Sequence, residues 1–195
     1  ETREDGGTPG FLQAIRAALA IKLKDEMGVE NILAREKHIK QLFAEHLTSH
    51  DDIELLEGNR MDRLAIFSFY FLNIHYNLIV KLLNDRFGIQ VRGGCSCAGT
   101  YGHLLLHVEP EKSEKITAQI DAGDLTAKPG WVRVSLHPLM TDEEVIYIAD
   151  AIHAVIDNII DWSKDYRFDK TTGEFINRNF QMKTPGLDGF KALPD

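Results

Sequence analysis

The sequence has only two cysteines, Cys95 and Cys97, and they lie one residue apart. Cysteines at this spacing cannot easily bridge each other, so a disulfide framework is excluded and a reducing, cytoplasmic compartment is expected. No apolar run approaches the roughly 18 residues that a membrane-spanning helix needs. Residues 1–7 contain no apolar signal core. We therefore expect a protein without a membrane segment.

Positively charged residues are fewer than negatively charged ones. The chain has 22 Lys and Arg against 30 Asp and Glu, and the net charge is −8. Because there is no run rich in Lys or Arg, a nucleic-acid-binding surface is not expected. The sequence contains no Walker loop, no G-x-G-x-x-G after a strand and no H-E-x-x-H. These absences exclude the common nucleotide-binding and zinc-protease signatures.

The periodicity of apolar residues predicts one core built from interleaved helices and strands. Thr8 and Pro9 predict the start of the first helix, Gly28 and Gly88 predict helix ends, and Thr141 with Glu144 predicts a capping box. Helices are predicted at 9–27, 30–47, 76–87, 110–120 and 141–159, and strands at 53–56, 64–71, 89–91 and 131–136.

The nearly unbroken apolar run at 64–71 is typical of a strand covered on both faces. Residues 101–108 fit a helix or an extended segment, and a small hairpin is expected around 172–173. This order predicts an α/β (α+β) fold, in which helices pack on one face of a small mixed or antiparallel sheet.

The most informative stretch is residues 89–103, where a short β-prone run leads into Arg92-Gly93-Gly94-Cys95-Ser96-Cys97. A strand that ends in a glycine-rich loop carrying a cation and a thiol is typical of a functional site. Such a thiol can have a lowered pKa and act as a nucleophile. The alternative is a tight turn with two buried, inert cysteines.

Two further interpretations use other residue types. Cys95, Cys97, His103 and His107 supply the donor set of a structural zinc site, but their spacing differs from the usual C-x2-4-C pairing, so no metal site is predicted. A stand-alone thiol- or zinc-containing binding module remains the alternative function. Arg92 and Arg133, the latter on the non-aliphatic side of its strand, could bind a carboxylate. Structural ion pairs are the alternative for both.

Three stretches, 4–9, 92–99 and 128–135, together and in this order resemble the C-terminal portion of class V aminotransferases. This family of fold type I pyridoxal-phosphate enzymes includes cysteine desulfurases and selenocysteine lyases, and the resemblance covers about residues 1–162. It implies that Cys97 is the catalytic sulfur acceptor of an R-x-G-x-x-C-A loop that begins at Arg92. It also implies that Arg133, in an R-x-S strand, binds the substrate carboxylate. Thr8 matches a segment that lies near the cofactor phosphate of the neighbouring subunit in a dimer.

The resemblance carries one departure and one absence. Cys95 and Ser96 stand where desulfurases usually have two histidines, so a lyase, aminotransferase or epimerase relative acting on a small amino acid also fits. The Schiff-base lysine of the family lies upstream of the segment that matches Thr8. The expected organisation is therefore an entry helix at 1–28, a small domain at 29–162 and a polar tail at 163–195.

This organisation implies a fragment of a longer enzyme. We expect its N-terminal large domain to be missing here. We expect the complete enzyme to be a homodimer, and the isolated chain to be inactive with no pyridoxal phosphate bound.

Overall fold

The computed structural model describes residues 6–60, 62–95 and 99–179. Within these ranges the chain forms seven α-helices, one 3₁₀ turn and six strands. The helices are α1 (Phe11–Met27), α2 (Val29–Leu47), α3 (Tyr76–Phe87), α4 (Gly99–Leu105), α5 (Pro110–Asp121), α6 (Asp142–Asp157) and α7 (Ile159–Trp162), and the 3₁₀ turn is Ser163–Asp165. The strands are β1 (Glu54–Leu55), β2 (Ile66–Tyr70), β3 (Arg92–Gly94), β4 (Trp131–Ser135), β5 (Tyr166–Asp169) and β6 (Glu174–Asn177).

The central sheet is antiparallel and has the strand order β1–β2–β4–β3. At its centre Phe67 lies opposite Val134, and Phe69 lies opposite Val132. Because side chains alternate between the faces of a strand, these four residues share one face. Each is at most 3% exposed. This face of the sheet is therefore part of the core.

Helices α2, α3 and α6 cover the apolar face of the sheet. The ring of Phe43 in α2 lies 4.9 Å from the ring of Phe67 in β2. Ile79 in α3 and Ile152 in α6 belong to the same buried cluster. The predicted class, helices packed on one face of a small sheet, is confirmed.

Several helix ends follow the signals in the sequence. Gly88 ends α3 in the left-handed conformation with φ of +67°. Thr141 caps α6: its hydroxyl accepts from the Glu144 amide at 3.2 Å, and the Glu144 carboxylate accepts from the Thr141 amide at 2.8 Å. The predicted capping box is thus confirmed. The start of the first helix is two residues later than predicted, because Gly10 and not Thr8 occupies the N-cap of α1.

The predicted strand at 89–91 is wrong, since β3 forms from Arg92, Gly93 and Gly94. The amide of Ile89 donates to the Leu83 carbonyl at 3.1 Å and so belongs to the C-terminal end of α3. The apolar side chains of this segment, Ile89 and Val91, pack against the core. Pairing with β4 therefore selects the three residues that have weak β propensity of their own. The segment 101–108, for which the sequence fits either a helix or an extended structure, is helical as far as Leu105.

The prediction that 64–71 is covered on both faces is also wrong. Leu64 is 64% exposed, and β2 begins at Ile66. Ser68 and Tyr70, on the face opposite Phe67, are only half-buried. An apolar run of this length does not distinguish a strand buried on both faces from one buried on alternate residues.

Helix α1 is almost uncovered, since none of its residues is buried and all of them except Met27 are exposed. Its predicted apolar stripe is exposed: Leu12 62%, Ile15 53%, Leu19 61% and Leu23 57%. A contiguous apolar surface of this kind is unusual unless it meets a partner. Among the described helices, none combines the length and apolar character needed to cross a membrane.

Strands β5 and β6 form the expected hairpin, with a turn that ends at Gly173. The hairpin lies along α3: the Tyr166 hydroxyl donates to Asp85 at 3.0 Å, and Asn77 donates to the Gly173 carbonyl at 2.6 Å.

Candidate functional site

The strand pair β3–β4 places Arg92 directly opposite Arg133. Residues opposite each other in an antiparallel pair project to the same face. Val132 and Val134, on either side of Arg133, are buried on the helix-covered face. Both arginines therefore belong to the opposite face, which we call the polar face. Two cationic side chains at one cross-strand position concentrate positive charge there.

Ser68 flanks Arg133 on its other side, opposite it in β2. Arg133 is half-buried. Among the described residues, its Nε atom is buried and has no hydrogen-bond partner. A buried donor without an acceptor is unfavourable. The polar face therefore presents a guanidinium group that has unused hydrogen-bonding capacity.

Cys95 follows β3 directly and is half-buried. Its Sγ donates to the Pro129 carbonyl at 2.9 Å. Burial raises the pKa of the Cys95 thiol, and the positive charge of Lys128 opposes this only in part. The expected lowering of a thiol pKa does not hold for Cys95, because desolvation outweighs the nearby cation. Cys95 is therefore a protonated, hydrogen-bonded thiol at neutral pH.

Three glycines allow the backbone around Cys95 to pack closely. A Cβ atom on Gly130 would lie 2.5 Å from the ring of Tyr76, and one on Gly93 would lie 2.8 Å from the same ring. Gly94 has φ of +108°, which disfavours residues with a side chain. Tyr76 is 7% exposed, and burial raises the pKa of its hydroxyl group; the negative charge that Cys95 carries when it is ionised raises this pKa further. The ring of Tyr76 is thus enclosed by the strands that lead to the loop.

The structure brings together only part of the predicted site. Arg92, Arg133 and Cys95 lie on β3, β4 and the start of the loop, whereas Cys97 lies outside the described residues. Thr8 is exposed and precedes α1, a helix with no buried residue, so it belongs to no closed site in this chain. Sequence reasoning missed Ser68 and Tyr76, since neither carries a motif. The strand register places Ser68 opposite Arg133. Packing of the first residue of α3 against Gly93 and Gly130 places Tyr76.

The zinc interpretation finds no support in the part of the chain that the structure describes. Across residues 6–60, 62–95 and 99–179, no group of three His, Cys, Asp or Glu side chains could hold a metal ion. His103 Nδ1 instead lies 2.6 Å from the Ser113 hydroxyl.

The family model for class V aminotransferases matches residues 1–148. A cysteine desulfurase of Haloferax volcanii is 28% identical over 129 residues, which are 60% of this chain and 30% of that protein. A probable cysteine desulfurase of Halobacterium salinarum is 31% identical over 93 residues, 48% of this chain and 22% of that protein. The chain belongs to the class V aminotransferase family.

A solved structure is similar in fold. The cysteine desulfurase CsdA from Escherichia coli, in an S-sulfonic acid form, aligns with a TM-score of 0.54 at 17% identity, over 78% of this chain and 32% of that one. At this identity the likeness concerns the fold alone. The chain spans about a third or less of the length of each of these relatives.

The family is pyridoxal-phosphate-dependent, but the described residues do not by themselves form a site for this cofactor. The polar face offers arginines and a serine, and Thr8, the one candidate for the cofactor phosphate, is exposed. The donors of the polar face fit a carboxylate, since a guanidinium can donate to both of its oxygens.

Proposed function

We propose that this chain supplies the substrate-carboxylate site and the cysteine loop of a pyridoxal-phosphate-dependent enzyme that acts on a small amino acid. The observation that carries the proposal is the cross-strand pair of Arg92 and Arg133 on the polar face, with Cys95 one residue beyond β3. Among the family's activities, cysteine desulfuration is the one we favour.

Arg133 is the proposed carboxylate anchor. Its guanidinium is planar and can donate to both carboxylate oxygens at once. Ser68 and Arg92 flank it on the two neighbouring strands, so the bound carboxylate would face a row of polar residues. The row would hold the substrate in one orientation, which is one contribution to catalysis that this chain can provide.

Cys97 is the proposed nucleophile, by its position in the family motif. In a desulfurase reaction its thiolate attacks the sulfur of the substrate cysteine and the carbon–sulfur bond breaks. The bonding electron pair stays on the substrate carbon, which takes up a proton, so that alanine leaves and the sulfur stays on Cys97 as a persulfide. The cofactor, when bound, stabilises negative charge on the substrate carbon. Cys95 is not a second nucleophile in this proposal, because its thiol is occupied by the Pro129 carbonyl.

The exposed apolar face of α1 supports a place within a larger enzyme. We propose that this face packs against the cofactor-binding large domain, which is not part of this chain, and that Thr8 then approaches the cofactor phosphate. Homodimerisation and a cytoplasmic location are proposed from the family resemblance alone.

The test is turnover by the full protein that contains this chain, supplied with pyridoxal phosphate and L-cysteine. We expect formation of L-alanine and a persulfide on Cys97, and loss of both in Cys97→Ser. Turnover of another small amino acid that survives Cys97→Ser would assign a different reaction of the family. Failure to transform any small amino acid would contradict the proposal.

A further inference from the structure

We propose that the C-terminal hairpin, β5 with β6, is a positioning element for residues 92–95, acting through His75 and Tyr76. The hairpin lies beyond residue 148, where the match to the family model ends. The importance of this segment rests on the proposed function, whereas the positioning itself is a statement about packing and can be tested without any activity.

The hairpin contacts the start of α3 through aromatic rings. The rings of Phe168 in β5 and Phe175 in β6 lie 4.9 Å apart. The ring of His75 lies 5.0 Å from Phe168 and 5.6 Å from Phe175. These separations are typical of favourable aromatic contacts. The imidazole is thus held by one ring from each strand of the hairpin.

Two hydrogen bonds join the hairpin turn to the same region. Asn77 donates from Nδ2 to the Gly173 carbonyl at 2.6 Å, and the Leu125 amide donates to the Lys170 carbonyl at 2.8 Å. Gly173 has φ of +72°, and a Cβ atom there would lie 3.3 Å from Leu125. The turn is therefore fitted to both α3 and the loop before β4.

His75 connects the hairpin to Tyr76. Their rings are stacked with centroids 4.5 Å apart. The side chain of His75 also caps α3, with Nδ1 accepting from the Asn77 amide at 3.2 Å. This bond needs an unprotonated Nδ1, and burial lowers the pKa of His75, which favours the neutral ring.

Tyr76 reaches the candidate site directly. Its ring occupies the space that a side chain on Gly93 or Gly130 would need. The Oδ1 atom of Asn77 lies equally close to Gly93, 2.9 Å from the position of a Cβ atom. Gly130 follows Pro129, whose carbonyl accepts from the Cys95 thiol. A continuous series of contacts thus leads from the hairpin to Cys95.

The opposite end of the hairpin is attached to α3 independently. Arg86 pairs with Asp165 at 2.8 Å and lies over the Trp162 ring at 4.2 Å from its centroid. Trp162 also contacts Phe87 at 6.0 Å between centroids. Within the described part of the chain, the Trp162 ring does not contact the His75 ring. Trp162→Ala therefore provides a control that weakens the attachment of the hairpin to α3 without removing a contact of His75 or Tyr76.

The experiment measures alkylation of Cys95 by iodoacetamide in a Cys97→Ser background, where Cys95 is the single thiol. Phe168→Ala should accelerate labelling about tenfold, because local opening near residues 92–95 becomes easier. Trp162→Ala, also an aromatic-to-alanine change, should alter the rate less than about twofold, although both variants lower the melting temperature. Phe168→Leu, which keeps an apolar contact, should give an intermediate rate.

Hydrogen exchange of the amides of residues 92–95 provides the second measurement, and it should change in the same order. Equal acceleration in Phe168→Ala and Trp162→Ala would mean that the hairpin contributes only general stability. Unchanged labelling and exchange in Phe168→Ala would overturn the inference. Neither result depends on amino-acid turnover, so failure here is separable from failure of the proposed function.

Discussion

The two faces of the central sheet are formed by alternate residues of the same strands, yet they differ in character. On the face covered by helices, Phe67 and Val132 are fully buried. On the polar face, Ser68, Arg92 and Arg133 lie side by side across three strands. The comparison separates the side chains that form the core from those to which we assign carboxylate recognition, and the two sets are only one residue apart along each strand.

This separation has a physical basis in the pleat of a strand. A substitution at one residue affects only the face to which that side chain projects, because the side chains before and after it project to the other face. Substitutions on the apolar face should therefore change the free energy of unfolding, and substitutions on the polar face should change binding. The predictions below test this difference, beginning with the largest effect.

The largest loss of stability is expected for Phe67→Ala. Phe67 is fully buried and packs on Phe43. Removing a buried aromatic ring costs about 3–5 kcal/mol of unfolding free energy, because it leaves a cavity. Urea unfolding measures this loss. Ser68→Ala, the adjacent residue on the polar face, is the control and should change the unfolding free energy by less than about 0.5 kcal/mol. Similar losses of unfolding free energy in both variants would contradict the difference between the two faces.

Gly130→Ala should destabilise the fold less, by about 1–3 kcal/mol, the usual cost of overpacking. The new methyl group would lie 2.5 Å from the Tyr76 ring. Thermal unfolding monitored by circular dichroism measures the effect. Gly102→Ala is the matched control, since its methyl would meet neighbours at 3.4 Å or more, within α4. A Gly130→Ala protein as stable as the control would contradict the packing described around Tyr76.

Arg133→Lys should weaken binding of an amino-acid carboxylate by about 1.5–3 kcal/mol, the range for a hydrogen bond to a charged group. Lysine keeps the charge but loses the two-pronged geometry. Isothermal titration calorimetry on the full protein measures the affinity, and its melting temperature should stay nearly unchanged. If melting falls while affinity is retained, Arg133 is a structural residue.

The smallest effect concerns pH. Because burial raises the pKa of the Cys95 thiol in the fold, its contribution to stability is fully present below the ordinary thiol pKa. That contribution is lost as pH rises through the folded-state pKa. Relative to Cys95→Ser, the native chain should thus lose stability slightly at alkaline pH. Urea midpoints between pH 7 and 10 for both proteins would show it. A parallel response of the two proteins would count against a raised pKa.

Sequence patterns predicted the helix ends well, because the capping signals are local. Gly88 and the pair Thr141 and Glu144 end or begin helices through contacts within a few residues. Sequence patterns predicted β3 poorly, because Arg92, Gly93 and Gly94 become a strand only by pairing with β4, nearly forty positions away. Local propensity cannot anticipate such a pairing.

The candidate site divides in the same way. Arg92 and Arg133 were recognisable from their motifs, but that they lie opposite each other is a property of the register. The role of Tyr76 left no signal, since an aromatic residue at a helix start is ordinary. The raised thiol pKa of Cys95 also could not be read from its neighbours in sequence, because burial rather than local charge determines it.

The most direct test of the central claim is carboxylate binding on the polar face, followed by ¹⁵N–¹H NMR at the Arg133 Nε–H. This donor is buried and has no partner among the described residues. Titration with L-alanine should shift its resonance and saturate, whereas ethylamine, which has the amine and methyl group but no carboxylate, should leave it unchanged. Equal responses to both compounds, or no response to L-alanine, would contradict the assignment of this face as a carboxylate site.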